Sequence, residues 1–491
     1  MCNSAILERA RSYEKCNVPK TVGEKPVFHF SVPTGWMNDP NGFSYFCGTY
    51  HLFFQYNPYS TEWGPMHWGH CTTKDFVHWE ILPCAMAPDA FFDNEGCFSG
   101  TAVESGGKHV LLYTGVQGKT DGNGKPYTVQ NQCVAFGDGV NYEKYKGNPV
   151  ISSSMLPEGS SVIDFRDPKI WKEGDGFRAL VGSKAQDGSG QLALFSSRNA
   201  IEWKFEKIID RCKNEYGRMW ECPDFFALDG RQILIVSPQF MEADGEEFHA
   251  GNNTIYFVGD WDEKEAVWKR DKPHLLDAGL DFYAAQTVLA ADGRRIMIGW
   301  LQNWDNHILP DGQTWSGIMT VPRELKVAGG RLLQTPVREL EACRQNRISY
   351  FCVPVGGKTK KTLLNGVAGR IFDMTLTVKN TRCGTFAVYV AADETHFTKI
   401  VFDMEKNTLG VDRSRSGLRK DFITDRTFRL PEVRESLQLR VLFDKYALEV
   451  FANDGETALS LLVYTPLEAD RIYFTADTET AMDVEKSDIA V

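Results

Sequence analysis

Three carboxylates stand at matching places in this chain. Asp39, Asp167 and Glu221 each precede a glycine by nine positions, at Gly48, Gly176 and Gly230. Each glycine leads into a very apolar stretch: Leu52-Phe53-Phe54, Ala179-Leu180-Val181 and Ile233-Leu234-Ile235. Phe98 before Gly107 and Ala284 before Gly293 keep the nine-residue offset without an acid. Residues equivalent in such repeats meet if the units surround one axis. Gathering like charges there raises at least one proton affinity and costs stability, so a purely structural fold has no use for it. Paired carboxylates in a sugar-sized funnel suit cleavage of a glycosidic bond, one group ionised as nucleophile or base and one protonated as acid. Asp39, beside Asn38 and the Asn41-Gly42 turn, is expected to be ionised. Asp167, beside Arg166, is expected to be ionised too. Glu221 lies between Trp220 and Cys222-Pro223, a less polar setting expected to raise its proton affinity.

The elements that carry these acids read as short strands. Each unit is a strand, a tight turn and a second apolar strand, and the units recur at intervals of roughly 55 to 70 residues, room for four strands each. A second feature repeats downstream, an aromatic four positions after an Asx: Asp75 to Trp79, Asp138 to Tyr142, Asn199 to Trp203. The reading is an all-β chain: an N-terminal arm (1–26), a five-bladed β-propeller (27–335), a helical-looking linker (336–350) and a C-terminal antiparallel β-sandwich (351–491). Asn453-Asp454-Gly455 between two alternating strands predicts a hairpin turn.

Composition excludes several classes. A net charge of −11 argues against nucleic acid or an anionic membrane as partner. No stretch approaches the roughly 20 apolar residues that span a bilayer. The twelve cysteines contain no Cys-x-x-Cys pair, which predicts free thiols in a reducing compartment. The first residues lack an apolar signal-peptide core, so the cytoplasm is expected and the Asn252-Asn253-Thr254 sequon carries no meaning. His67 and His70 have a ligand-like spacing but no third partner, and they read as structural. No metal or cofactor is expected.

Trp36-Met37-Asn38-Asp39-Pro40-Asn41-Gly42, Phe165-Arg166-Asp167-Pro168 and Trp220-Glu221-Cys222-Pro223-Asp224 resemble the three signature motifs of glycoside hydrolase family 32, the β-fructofuranosidases. Phe53-Phe54-Gln55-Tyr56-Asn57-Pro58, Phe98-Ser99-Gly100, Asp281-Phe282-Tyr283-Ala284 and Ile298-Gly299-Trp300 extend the match. The resemblance implies a retaining, two-step mechanism on terminal β-fructofuranosyl units. Asp39 is then the nucleophile, Glu221 the acid/base and Asp167 the transition-state stabiliser. Asn38, Gln55, Ser99, Arg166, Asp281 and Tyr283 become ligands of fructose hydroxyls. Trp36, Trp63, Phe98 and Trp300 become walls, with Trp304 at the rim and Cys222 tuning Glu221. Sucrose, sucrose 6-phosphate and short fructo-oligosaccharides are the expected substrates, for a monomer or homodimer. The same acids would serve a fructosyltransferase, and a non-catalytic fructan-binding protein is the reading from another class.

Overall fold

The computed structural model describes residues 4–21, 25–306, 308–356, 361–379, 384–417, 422–432 and 434–491. Five sheets of antiparallel strands follow one another along the first two-thirds of the chain. Their first strands are Gly35–Phe46, Gly96–Ser105, Phe165–Glu173, Met219–Leu228 and Tyr283–Leu289. Each turns back into a second strand with a nearly continuous buried run, as in Arg231–Gln239. Gly48, Gly107, Gly230 and Gly293 take the left-handed conformation that these tight turns need, with φ of 81, 75, 78 and 88°. In the third unit the turn is carried by Gly174 instead, at φ 56°.

The five first strands touch in a closed cycle: first to second, second to third, third to fourth, fourth to fifth, and fifth back to first. The cycle is tied by a parallel pairing of Gly35 and Trp36 with Trp315 and Ser316. Gly317 follows, and a Cβ there would lie 2.4 Å from the Met37 carbonyl oxygen, so only glycine lets this segment lie against the strand that carries Asp39.

The repeated Asx residues are turns between third and fourth strands. Asp75 Oδ1 accepts from the amides of Val77 (3.1 Å) and His78 (2.8 Å). Asp138 Oδ1 accepts from Val140 (2.9 Å) and Asn141 (2.8 Å), and Asn199 Oδ1 from Ile201 (3.0 Å) and Glu202 (2.9 Å). These side chains satisfy turn amides that would otherwise lack partners.

The arm is a helix, Ala5–Thr21, with the Ser4 hydroxyl accepting the Leu7 amide at its start. Leu7, Ala10 and Glu14 form its buried face. Arg11 donates to the Cys84 carbonyl (2.9 Å) and Glu14 accepts from the Cys84 amide (3.1 Å), so the helix covers the outer edge of the first sheet.

The last third forms a six-stranded and a five-stranded sheet that share one core, with Phe372, Leu376 and Val441 from one and Val388, Ile400 and Phe474 from the other. Here the structure corrects the expected linker. Arg338–Cys343 is a 3-10 turn, but Arg344–Val355 is already a strand, paired with Thr480–Ile489. Its outer position keeps most of its side chains in water, so it lacks apolar alternation. The Asn453-Asp454-Gly455 turn joins Ala447–Ala452 to Thr457–Leu462, with Asn453 and Asp454 at φ 49 and 58°.

The two regions meet over buried ions. Arg323 pairs with Glu449 and, at 2.9 Å, with Asp277; all three side chains are fully buried. His29 bridges Asp444 (3.1 Å) and Glu449 (2.9 Å). Burial works against charging His29, yet the two carboxylates raise its pKa to about 9, so it is a cation in this cluster.

Candidate active site

Every first strand carries an irregularity near its start, and the acids cluster there. In the first sheet Met37 opposes Tyr56 and Pro40 opposes Phe54, so Asn38 and Asp39 face Gln55 alone. Asp167 and Pro168 lie between the Arg166–Gly182 and Lys169–Leu180 pairs. Cys222 and Pro223 lie between Glu221–Ser237 and Asp224–Ile235. Ser99, and Ala284 with Ala285, occupy the same place in the second and fifth sheets. A bulge re-aims side chains that regular pleating would send between sheets. Asp167, Cys222 and Ala284 adopt φ of 64, 47 and 55°, strain held at the site by the surrounding ladders. The acids share the bulge, not its register: Glu221 precedes its extra residues, whereas Asp39 and Asp167 are among theirs.

Asp39 is almost fully buried. Ser99 Oγ donates to its Oδ2 (2.7 Å) and Asn38 Nδ2 to its Oδ1 (3.0 Å). Asn38 is itself held by Trp36 Nε1 (2.8 Å). Cys222 Sγ lies 3.4 Å from Asp39 Oδ2 and 3.7 Å from Asp167 Oδ2, and the Cys222 amide donates to Asp167 Oδ2 (3.0 Å). Cys222 therefore bridges two acids; it is not a helper of Glu221 alone. Arg166 donates to Glu221 Oε1 (2.9 Å) and, from its other arm, to Asp164 Oδ1 (3.0 Å). The Tyr283 hydroxyl lies 2.7 Å from Glu221 Oε2.

Burial raises the Asp39 pKa, and the Glu221 charge adds to it; the bonds from Ser99, Asn38 and Cys222 oppose the shift without cancelling it. Burial likewise pushes Asp167 up to about 7, with the charges of Glu221 and Asp39 adding and Arg166 opposing. The expectation that Asn38 and Arg166 keep these two acids at ordinary acidity is therefore corrected. Desolvation and mutual repulsion of three carboxylates outweigh one guanidinium. The expected apolar setting of Glu221 is also corrected, since Arg166 and Tyr283 make it polar.

Other expected residues fall into two groups. Gln55 (donating to the Cys97 carbonyl, 3.0 Å), Ser99, Asn38 and Arg166 lie with the acids. Trp63, 50% exposed, meets Phe98 edge-on at 5.9 Å. Trp304, 39% exposed, stacks on Trp36 at 6.2 Å. Trp300 has no exposed surface and backs Trp36 and Trp304 at 5.8 and 5.0 Å, so it supports the wall from behind. Tyr283 is also fully buried and spends its hydroxyl on Glu221.

Asp281 is not at this site. It is fully buried against Arg413 and accepts from the Leu462 amide (2.8 Å), at the contact between the two regions. His67 bonds the Pro65 carbonyl (2.7 Å) and His70 bonds His51 (3.0 Å); burial lowers the pKa of both, that of His67 to about 4. Asp164 and Ser237 were not anticipated. Asp164 shares Arg166 with Glu221, and the Ser237 hydroxyl receives the Ala284 amide (3.0 Å), which fixes the strand that holds Tyr283.

Two buried acids, a third partly exposed, one guanidinium and a ring of aromatic and amide groups form the equipment of a glycosidase. Residues 29–336 match the glycosyl hydrolases family 32 N-terminal domain and residues 339–490 the family 32 C-terminal domain. The chain belongs to glycoside hydrolase family 32. It is 36% identical over 441 residues to a sucrose-6-phosphate hydrolase of Escherichia coli, covering 89% of each chain. It is 34% identical over 468 residues to a raffinose invertase of Escherichia coli, covering 91% of each. The structure superposes on a Bombyx mori family 32 β-fructofuranosidase with a TM-score of 0.85 and 31% identity, over 98% of each chain. The protein is a glycosidase of the β-fructofuranosidase type.

Proposed function

We propose that this protein cleaves terminal β-D-fructofuranosyl units from sucrose, sucrose 6-phosphate or short fructo-oligosaccharides by a retaining mechanism. The closed cycle of first strands supports reading the five sheets as blades of a five-bladed β-propeller, at 27–335, and the two C-terminal sheets as a β-sandwich. The observation that carries the mechanism is the separation of partners at one buried spot. Asp39 is held by Ser99, Asn38 and Cys222, whereas Glu221 is held by Arg166 and Tyr283.

Asp39, fixed on both oxygens, attacks the anomeric carbon. Glu221 gives a proton to the leaving oxygen as the glycosidic bond breaks, then takes one from the water that releases fructose. Because three acids around one guanidinium cannot all be charged cheaply at neutral pH, the cluster retains a proton for the first step. Asp167 stabilises the oxocarbenium-like transition state, and its charge is best compensated as positive charge develops on the sugar. Gln55, Ser99, Asn38 and Arg166 bind fructose hydroxyls between the Trp63–Phe98 and Trp36–Trp304 walls.

The working compartment in this reading is the cytoplasm; no helix among the described residues is long and apolar enough to cross a membrane. Sucrose turnover in dilute methanol tests the mechanism. Methyl β-fructofuranoside is the expected trapped product, and its α-anomer refutes retention. Glu221→Gln is expected to lose at least 1,000-fold in kcat, on the order of 4 kcal/mol.

A further inference from the structure

The far end of the strand cycle holds a second cavity, of about 670 Å³. All five first strands line it with residues beyond their bulges, including Phe43, Lys169, Phe226 and Thr287. Lys169 lies two residues beyond Asp167, and Phe43 and Phe225 lie four beyond Asp39 and Glu221, so the cavity begins one or two strand pleats below the acids.

Its inner wall sets two cations, Lys169 and Arg295, around one carboxylate, Asp224. Lys169 Nζ pairs with Asp224 at 2.6 Å, and Asp224 also accepts the Thr287 amide (2.6 Å). Lys172 pairs with Glu104, and Glu173 with Arg178, towards the rim, where Glu263 is exposed. Arg295 remains. Its guanidinium lies 4.7 Å over the Phe226 ring, and its side chain makes no hydrogen bond or ion pair with any described residue. The Thr287 hydroxyl, in a residue only 2% exposed, also lacks a partner. Burial disfavours the charge on Arg295 and on Lys169, and the Asp224 carboxylate opposes this at both without cancelling it; Arg295 adds to the shift at Lys169. A cation set beside an ion pair, with an unused hydroxyl next to it, is arranged to receive an anion.

We propose that this cavity is a binding site for a sugar monophosphate. Arg295 holds the phosphate through its planar fork, with Lys169 as second cation and Thr287 as hydroxyl donor. The partly exposed rings of Trp171 and Trp261 take the apolar side of the sugar ring. The volume suits such a ligand, since small-molecule sites run from about 300 to 1,000 Å³. Arg295, Lys169 and Thr287 are distinct from the groups given roles in cleavage.

Calorimetric titration of the full chain tests this, with glucose 6-phosphate, inorganic phosphate and glucose as probes and saturating fructose in the cell to fill the catalytic end. The expected result is one saturable site for glucose 6-phosphate, at least tenfold weaker binding of phosphate, and none of glucose. Arg295→Met should weaken binding at least tenfold, with sucrose turnover unchanged and a melting temperature no lower than wild type, since it removes a partly buried cation whose Nε has no hydrogen-bond partner. Thr287→Val should weaken it two- to fivefold, and Glu221→Gln should leave it unchanged. No saturable binding, displacement by fructose, loss in Glu221→Gln, or unaltered affinity in both cavity variants overturns the proposal. Phosphate binding as tightly as glucose 6-phosphate overturns the sugar part of it.

Discussion

Asp167→Asn should make the protein more stable while disabling it. In the folded chain burial and two neighbouring acids hold the Asp167 pKa at about 7, against 3.8 for the free side chain. Between those values the folded state keeps a proton that the unfolded state releases, so stability from this group falls as pH rises through the window. The displacement is about three units, and at about 1.4 kcal/mol per unit the full cost above pH 7 is about 4 kcal/mol. Glu221 and Asp39 share in it, which sets the gain on neutralising Asp167 at about 2 to 4 kcal/mol. Asn can still accept the Cys222 amide. Unfolding entropy of about 2 cal/mol/K per residue gives about 1 kcal/mol/K for 491 residues, so the melting temperature should rise by about 2 to 4 °C at pH 8. At pH 4 the gain should vanish, because Asp167 is then protonated in the fold. The assay is differential scanning calorimetry from pH 4 to 8, with kcat on sucrose measured alongside and expected to fall at least 100-fold. A variant that melts below wild type at pH 8, or a gap that does not change with pH, refutes the account of the cluster.

Cys222→Ala removes a donor from Asp39 Oδ2, so Asp39 should bind protons more tightly; the acid limb of the kcat/KM profile should move to higher pH, with kcat down about fivefold, or about 1 kcal/mol. Asp281→Ala strands Arg413, which is 2% exposed, at a cost of about 3 to 5 kcal/mol; urea unfolding should report it, while kcat of the folded fraction stays within about twofold. Glu14, pushed up to about 7 by burial, opposes docking of the N-terminal helix as pH rises from about 4.5 to 7, so Glu14→Gln should slow amide exchange across residues 5–21 at pH 8.5 and leave it unchanged at pH 4.

The acids were legible in the sequence because the distance from bulge to turn is nearly constant, and the turn needs a left-handed residue, usually glycine. The offset could not reveal that Glu221 sits before its bulge while Asp39 and Asp167 sit within theirs, since strand pairing decides that. Asp281 shows the limit of a motif. Its neighbour Tyr283 reaches Glu221, but its own partner, Arg413, lies 132 residues away, and no local pattern announces that pairing. Trp300 and Tyr283 have the right chemistry for a sugar wall or ligand, yet both are sealed behind other groups and act through them. The strand Arg344–Val355 escaped detection because a mostly solvent-facing strand has no apolar rhythm to read.

The parallel ladder between Gly35-Trp36 and Trp315-Ser316 also sets a timetable. The segment that closes the strand of Asp39 follows it by roughly 275 residues. At 5 to 20 residues per second that is roughly 15 to 55 seconds. Through that interval one edge of the strand that carries Asp39 is unpaired, and a ribosome stalled short of Trp315 holds three acids without a closed ring. Closure of the ring therefore arrives late in translation, while the fifth sheet is still being made, and not with any single acid.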